Sequence, residues 1–155
     1  MKRKNLWTLL LLTALLSTPL FSQETPETEG QFRGRGSLII TVNGFQKMTG
    51  NARIYLFGSK EGFPSKPDKA LVTRKIKVTG PEVEVRVSNL PYGTYAVAAH
   101  HDVNGNNKLD TNWMHISKEP TGASNNARSK FGTPSFAKAK FELASDTLRV
   151  TVTVR

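Results

Sequence analysis

Short oxygen-bearing side chains recur at every second position of one stretch of the chain, with a single gap. They are Asp102, Asn104, Asn106 and Asp110, and the backbone carbonyl of Lys108 falls in the gap. Calcium is a hard cation that binds about six to eight oxygens, supplied by carboxylates, amide side chains and backbone carbonyls in a tight loop. The spacing matches ligand positions 1, 3, 5, 7 and 9 of an EF-hand loop. It predicts a calcium site with these five residues as ligands.

Two features of the stretch depart from the EF-hand pattern. Gly105 is the fourth loop residue instead of the sixth, and Trp113 stands where a bidentate glutamate is expected. With only two carboxylates, we expect a modest affinity suited to extracellular calcium. The alternative is a metal-free loop in which the Asp and Asn side chains form Asx-turns, with Asn104-Gly105 as a reverse turn. The sequence leaves both possibilities open.

Three histidines close to these residues raise a second kind of metal chemistry. His100, His101 and His115 would suit zinc or another transition metal together with aspartate. Adjacent residues of a strand point to opposite faces of a sheet, so His100 and His101 are poorly placed to share one ion. His101 has the parity of the apolar positions before it. It is more typical of a hydrogen-bonded histidine at the edge of a core.

Evidence for catalysis is sparse in this sequence. The chain has no cysteine, no Gly-rich phosphate loop, no HExxH and no Gly-x-Ser-x-Gly. Ser124 stands in a Ser-Asn-Asn cluster that more plausibly caps backbone groups or supports the ion loop than supplies a nucleophile. A non-catalytic binding or structural module is therefore the first hypothesis. The alternative is a metal-dependent hydrolase that uses Asp102 and Asp110 with a histidine.

The residues after the proposed calcium loop offer a contact surface. Trp113 and Met114 would suit contact with an envelope glycan or a protein if the loop exposes them. The alternative is that Trp113 folds back as part of a local core.

The elements that must position this stretch are β-strands. Apolar and polar residues alternate with a period of two in seven segments, separated by turn residues. The segments are 38–42, 52–56, 72–78, 83–87, 95–99, 137–143 and 148–154. The pattern predicts an all-β fold, an antiparallel seven-stranded sandwich of immunoglobulin-like or transthyretin-like type. One long polar loop, roughly residues 102–135, leaves it, and a loop of that length is usually functional or disordered.

The first residues are typical of a secretory signal peptide. A basic start, Lys2-Arg3-Lys4, precedes an apolar run too short to span a bilayer, and a small residue before position 23 offers a cleavage point. We expect a signal peptide at 1–22, a flexible leader at 23–36 and a β-sandwich domain at 37–155. An uncleaved N-terminal anchor is the alternative. The protein is expected to be exported, to the periplasm, the cell surface or the medium, with no membrane segment after cleavage.

The chain carries a net positive charge. Without Lys2, Arg3 and Lys4, 19 basic and 12 acidic residues remain, and the formal net charge falls from +10 to +7. The cations are spread along strands and no aromatic-and-basic motif accompanies them, so nucleic-acid binding is not expected. Electrostatic adhesion to anionic envelope polymers is a third, weaker hypothesis.

A composite motif around the polar loop resembles the bacterial family DUF2141. The motif reads His101-Asp102-x-Asn104-x-Asn106-x-x-Leu109-Asp110-Thr111-Asn112, then Lys118-Glu119-Pro120, Ser124-Asn125-Asn126-Ala127 and Gly132-x-Pro134-x-Phe136-x-x-Ala139. The family consists of small exported β proteins of unknown function. The resemblance therefore implies an exported β-sandwich without an established enzymatic activity. Residues 113–123 depart from the usual family pattern, so no role is carried over to them.

Overall fold

Alternation of apolar residues produces strands throughout the part of the chain that the structure describes. The computed structural model describes residues 34–114, 116–130 and 132–155. These residues form eight strands and one short α-helix. In chain order they are β1 (Arg35–Asn43), β2 (Asn51–Phe57), β3 (Val72–Lys77), β4 (Glu82–Pro91), β5 (Gly93–Asp102), β6 (Thr121–Ala123), α1 (Phe136–Ala139), β7 (Phe141–Leu143) and β8 (Thr147–Thr153), with 3-10 turns at Pro67–Lys69 and Ser124–Asn126.

The N-terminal predictions concern mostly residues before Gly34, where the described part of the chain begins. The signal peptide at 1–22 and residues 23–33 of the leader lie outside the described residues. Strand β1 begins at Arg35, two residues before the predicted start of the domain. No helix in the described ranges is long and apolar enough to cross a membrane.

The strands form two sheets. One has the order β4-β1-β8, and the other has the order β3-β2-β5-β6, with β7 pairing with β5 as well. The all-β prediction is confirmed, but two details were wrong. There are eight strands in the described residues, because β6 lies inside the long polar loop, and the sheets are not wholly antiparallel, because β8 lies parallel to β1. A period of two tells which face is buried, but it does not tell which neighbour a strand chooses.

Both sheets bury alternate residues in one hydrophobic core. The core-facing residues include Leu38, Ile40, Val42, Ala52, Ile54, Leu56, Val83, Val87, Val97, Ala99, Val152 and Val154. Full burial of one Ile or Leu side chain contributes about 1.5–3 kcal/mol, so this cluster is the main source of stability in a chain without cysteine. The shared core also fixes the face of β5 on which each site residue lies.

Strand β5 is the element that positions the candidate site. Residues 95–102 are all buried, and one long edge of β5 pairs with β2. Its other edge changes partner, since residues 93–95 pair with β7 and residues 98–100 pair with β6. The polar loop starts where β5 ends, at Asp102.

The predicted strand at 137–143 is wrong in its first half. Residues Phe136–Ala139 form one helical turn, and only Phe141–Leu143 is a strand. Ala and Lys have high helix propensity, and the turn follows Pro134-Ser135, a favourable start for a helix.

Candidate functional site

Two successive Asx-turns shape the first part of the polar loop. The Asn104 Oδ1 atom accepts a hydrogen bond from the backbone N–H of Asn106 at 3.0 Å. The Asn106 Oδ1 atom accepts one from the backbone N–H of Lys108 at 2.8 Å. Gly105, between the two asparagines, has a φ of 74°, a left-handed conformation that glycine adopts without strain. The loop backbone is thus held by its own side chains.

The carboxylate of Asp110 gathers the two asparagine side chains. Asn104 Nδ2 donates to Asp110 Oδ2 at 2.7 Å, and Asn106 Nδ2 donates to Asp110 Oδ1 at 3.0 Å. Three of the five predicted calcium ligands therefore contact one another. The amide N–H groups face the carboxylate, while both amide oxygens accept hydrogen bonds from the backbone.

Asp102 is held apart from this group. It is fully buried at the end of β5, and its Oδ2 atom accepts a hydrogen bond from the backbone N–H of Asn107 at 2.9 Å. Its Oδ1 atom is also buried and has no hydrogen-bond partner among the described residues. Asn107 has a φ of 66°, which turns the loop back toward the sheet. The Asp102 carboxylate is therefore an anchor of the loop in this structure.

Glu119 is a loop residue for which the sequence analysis assigned no role. Only 8% of the residue is exposed. Its Oε1 atom accepts from the backbone N–H of Val103 at 3.1 Å, and its Oε2 atom accepts from the backbone N–H of Asp110 at 3.2 Å. Ser117 fixes the Glu119 backbone, because its Oγ accepts from Glu119 N at 3.1 Å. Glu119 therefore closes the loop by joining its two ends, a role to which its place in the motif Lys118-Glu119-Pro120 gave no direct pointer.

The surroundings of Glu119 are electrostatically unfavourable for its charged form. Burial raises the pKa of Glu119, the hydrogen bonds from Asp110 and Val103 lower it, and the charges of Asp102 and Asp110 raise it again. Three carboxyl groups thus influence one another at the base of the loop. Glu119 and Asp110 also line an open cleft of about 570 Å³, together with Asn104, His101 and Lys118.

The types of donor atom in this loop suit calcium, but the present side-chain orientations do not form a calcium site. The donor set, two carboxylates with amide and backbone oxygens, is of the type that calcium prefers. Asp102 Oδ1 adds a buried oxygen without a partner in the described part of the chain. However, the described residues contain no group of three or more acidic or histidine side chains arranged to hold a metal ion. Calcium binding would require the side-chain amides of Asn104 and Asn106 to rotate, so that their oxygens instead of their N–H groups face an ion held beside the Asp110 carboxylate.

The adjacent histidines point to opposite faces of the sheet, as predicted. His101 is fully buried in the core, its Nε2 lies 2.7 Å from the carbonyl oxygen of Thr49, and its ring packs edge-on against Phe45. The prediction of a hydrogen-bonded histidine at the core edge is confirmed. His100 stacks on Tyr55 on the other face. His115 lies outside the described residues, so its part in the transition-metal alternative is not addressed.

Burial dominates the electrostatics of His100. It lowers the pKa of His100 to about 4, with the neighbouring Arg53 charge acting in the same direction. The imidazole is therefore neutral at physiological pH.

A short turn beyond the Asx loop carries three exposed apolar side chains, and one of them is the most exposed large apolar side chain of the described residues. Trp113 is 87% exposed, and Met114 and Ile116 are more than half exposed. Asn112 orders this turn, because its Oδ1 accepts the backbone N–H groups of Met114 at 2.9 Å and Ile116 at 3.0 Å. A bridge between Thr111 and Ser117 closes its base. The alternative in which Trp113 folds back as local core is wrong.

The second amide cluster, Ser124–Asn126, connects neighbouring segments by hydrogen bonds to their backbones. The buried Ser124 Oγ accepts a hydrogen bond from the backbone N–H of Val97 at 2.9 Å and donates to the carbonyl oxygen of Ala139 at 2.6 Å. Ser124 thus provides a hydrogen-bond acceptor for the Val97 N–H, which lies on β5 between the residues that pair with β6 and those that pair with β7. Asn125 Nδ2 donates to the carbonyl oxygen of Lys140 at 2.7 Å. Of the two roles predicted for this cluster, hydrogen bonding to backbone groups is the one that is confirmed.

Comparison with known proteins places the chain in one family. The family described as uncharacterized protein conserved in bacteria (DUF2141) matches residues 40–151, which contain the complete polar loop and every strand except the start of β1 and the end of β8. The chain therefore belongs to the DUF2141 family. Neither a curated protein nor a solved structure matches it.

Proposed function

We propose that this member of the DUF2141 family is an exported, non-catalytic binding module. Its β5 strand and polar loop present the apolar turn at residues 111–117 to an envelope glycan or protein. The observation that carries the proposal is the 87% exposure of Trp113 on a turn whose backbone is hydrogen-bonded. Large aromatic side chains in such positions supply contact area at a low cost in conformational entropy.

The turn is built to hold its apolar side chains in solvent. Asn112 accepts hydrogen bonds from Met114 and Ile116, and its own N–H donates to the carbonyl oxygen of Ile116 at 2.9 Å. At the next level, Lys118 N donates to the carbonyl oxygen of Asp110 at 2.8 Å, which joins the turn to the loop base. Preorganisation of this kind lowers the entropic cost of binding.

Export and calcium belong to the same proposal. Export is supported by the signal-peptide pattern of residues 1–22. Calcium is proposed as a stabilising ion of the loop, with Asp102, Asn104, Asn106, Asp110 and the Lys108 carbonyl as its ligands. When bound, it would neutralise the carboxylates at the loop base. The immunoglobulin-like or transthyretin-like arrangement of the two sheets is likewise proposed, on the support of their shared core.

The hydrolase alternative has weaker support, because the side chains it would use have other hydrogen-bond partners in this structure. Asp102 faces Asn107, Asp110 faces two asparagine amides, and His101 is buried in the core beside Thr49. A metal-dependent hydrolase needs such groups to converge on one open position. Asp110 and His101 line the same cleft, but the described residues contain no group of three acidic or histidine side chains placed to hold a metal ion.

A glycan array combined with a pull-down of envelope proteins tests the binding proposal. We expect Trp113→Ala to lose the hits of the native protein, because it removes the largest exposed apolar side chain of the turn. Leu71→Ala is the matched control, since Leu71 is 61% exposed but lies on a different part of the chain. Hits that survive in Trp113→Ala, or that are lost equally in Leu71→Ala, would refute the role of the turn.

A second pair of variants tests whether binding also depends on the hydrogen bonds that hold the backbone of the turn around Trp113. Asn112→Ala removes the acceptor for two backbone N–H groups, and Asn112→Asp keeps an acceptor at the same place. We expect Asn112→Ala to bind several-fold more weakly and Asn112→Asp to bind nearly as the native protein does. Trp113 is the only tryptophan after residue 22, so its fluorescence reports ligand contact directly once the signal peptide is removed.

A further inference from the structure

A row of polar side chains crosses the outer face of the larger sheet, away from the shared core. Arg53 of β2 lies directly opposite Lys75 of β3 on one side and His100 of β5 on the other. Residues two apart on a strand share a face, so Lys77 lies beside Lys75 on the same surface. Phe63 and Phe136 cover the other end of this face. The polar row lies where that apolar cover ends.

Two cations in this row converge on a single neutral oxygen. Asn107 Oδ1 accepts a hydrogen bond from Arg53 Nη1 at 2.9 Å and another from Lys75 Nζ at 2.7 Å. The two charged nitrogens are therefore at most about 6 Å apart, and like charges directly opposite on neighbouring strands repel each other. An amide oxygen carries no formal charge, so its hydrogen bonds do not neutralise the two cations.

No carboxylate among the described residues forms an ion pair with either cation. The ion pairs there join Lys69 to Glu61 and Arg149 to Glu84, and neither includes Arg53 or Lys75. Asp102 lies one row further along the same face, but its Oδ2 is bonded to Asn107 N and it makes no ion pair with Arg53. Arg53 Nε and His100 Nε2 are also buried, and neither has a partner in the described ranges.

We propose that Arg53 and Lys75, with Lys77 beside them, form a binding site for a phosphate group on the outer face of the larger sheet. The charge argues for a dianion: two adjacent cations need two negative charges, and a carboxylate would supply only one. The geometry agrees, because a tetrahedral oxyanion presents several oxygens to an Arg guanidinium and a Lys ammonium at once. The ligand class is a phosphate monoester or free inorganic phosphate.

The site is connected to the polar loop through Asn107. The same residue donates its N–H to Asp102 and offers its side-chain oxygen to Arg53 and Lys75. A phosphate bound at the two cations changes the environment of this side chain and shifts its amide signals. This inference does not depend on the proposed function of the Trp113 turn, which lies on another part of the loop.

Nuclear magnetic resonance with inorganic phosphate as the probe tests the site. At about pH 8, where phosphate is largely a dianion, we expect saturable shifts of the Arg53 Nε–Hε signal and of the Asn107 side-chain amide. Acetate at matched ionic strength is expected to shift these signals several-fold less, and sodium chloride to produce no saturable shift. Equal saturation with acetate would overturn the assignment to a dianion. Absence of saturation with phosphate would overturn the site.

Matched variants localise the effect. Lys75 is exposed, so Lys75→Gln is expected to fold and to weaken phosphate binding by about tenfold. Arg86→Gln is the control, because it removes the same charge from an exposed position of β4 in the other sheet. Equal weakening by both variants would show that only the net charge matters, and would contradict a defined site. Glycerol phosphate is the second probe. A higher affinity for glycerol phosphate than for inorganic phosphate would identify the ligand as a phosphate monoester, and a lower affinity would identify it as the free ion.

Discussion

The Glu119 carboxylate accepts a hydrogen bond from the backbone N–H of Asp110 at 3.2 Å, so one acidic residue is held by the backbone of another. The other oxygen of the same carboxylate accepts from Val103, next to the end of β5. Loop 103–110 is thereby closed at both ends by a single side chain. Because the residue is 8% exposed, both hydrogen bonds are made largely out of water.

Removal of the Glu119 carboxylate should destabilise the protein. Glu119→Ala leaves two backbone N–H groups without their acceptor, and we expect the free energy of unfolding to fall by about 2–3 kcal/mol. Urea denaturation followed by circular dichroism measures the change. Glu61→Ala is the control, because the exposed Glu61–Lys69 pair should contribute less than about 0.5 kcal/mol. A similar loss in both variants would contradict the closing role of Glu119.

His100 should make the stability depend on pH. Burial lowers the pKa of this imidazole from 6.5 to about 4, so the unfolded chain binds a proton at higher pH than the folded protein does. Stability from this group is present above pH 6.5 and is lost as the pH falls toward 4, by up to about 3 kcal/mol. We expect His100→Phe, which keeps a ring against Tyr55, to reduce this loss. Urea denaturation at several pH values between 7 and 4 measures the slope, and an unchanged slope in His100→Phe would contradict the assignment.

Ser124 should contribute to stability more than an ordinary serine. Its Oγ is buried and serves the backbone of both Val97 and Ala139. Ser124→Ala leaves a donor and an acceptor unsatisfied, and we expect a loss of about 2 kcal/mol in the free energy of unfolding. Ser88→Ala, at an exposed position of β4, should change it by less than about 0.5 kcal/mol. Thermal and urea unfolding of the two variants measure these changes, and an equally small loss in both would contradict the structural role of Ser124.

Sequence alone predicted the strand faces well because burial leaves a direct trace in the alternation of residue types. His101 illustrates this: its parity with Tyr95 and Val97 placed it in the core, where it contacts Phe45. The neighbour of each strand leaves no such trace. The parallel pairing of β8 with β1 depends on how the chain crosses between sheets, and nothing in residues 147–153 specifies it.

Inside the long loop, sequence predicted residue types better than contacts. The Asx-turns at Asn104 and Asn106 were one of the two possibilities that the sequence left open, and each involves a side chain and a backbone N–H two residues away. The role of Glu119 was not, because its partners lie 9 and 16 residues before it. The exposure of Trp113 was also undecided, because the residues around a tryptophan in a loop do not indicate whether its side chain is buried or exposed.

Calcium binding is the remaining prediction for the loop itself. Into protein stripped with a chelator, calorimetric titration of calcium should give a saturable heat with a modest affinity, because the proposed ligands include only two carboxylates. An ion that binds only the folded protein stabilises it by about 1.4 kcal/mol at ten times its dissociation constant, so the melting temperature should rise with calcium concentration.

The variant Asp110→Asn tests whether such a signal comes from this loop. It removes one of the two carboxylates and preserves an oxygen that can accept a hydrogen bond, so we expect the calcium affinity to fall by at least about tenfold. Asp68→Asn, at an exposed position far along the chain, is the matched control and should leave the titration unchanged. No heat and no shift in melting temperature for the native protein would remove calcium from the proposal. The Asx-turns around Asp110 would then be the complete account of how this loop is ordered.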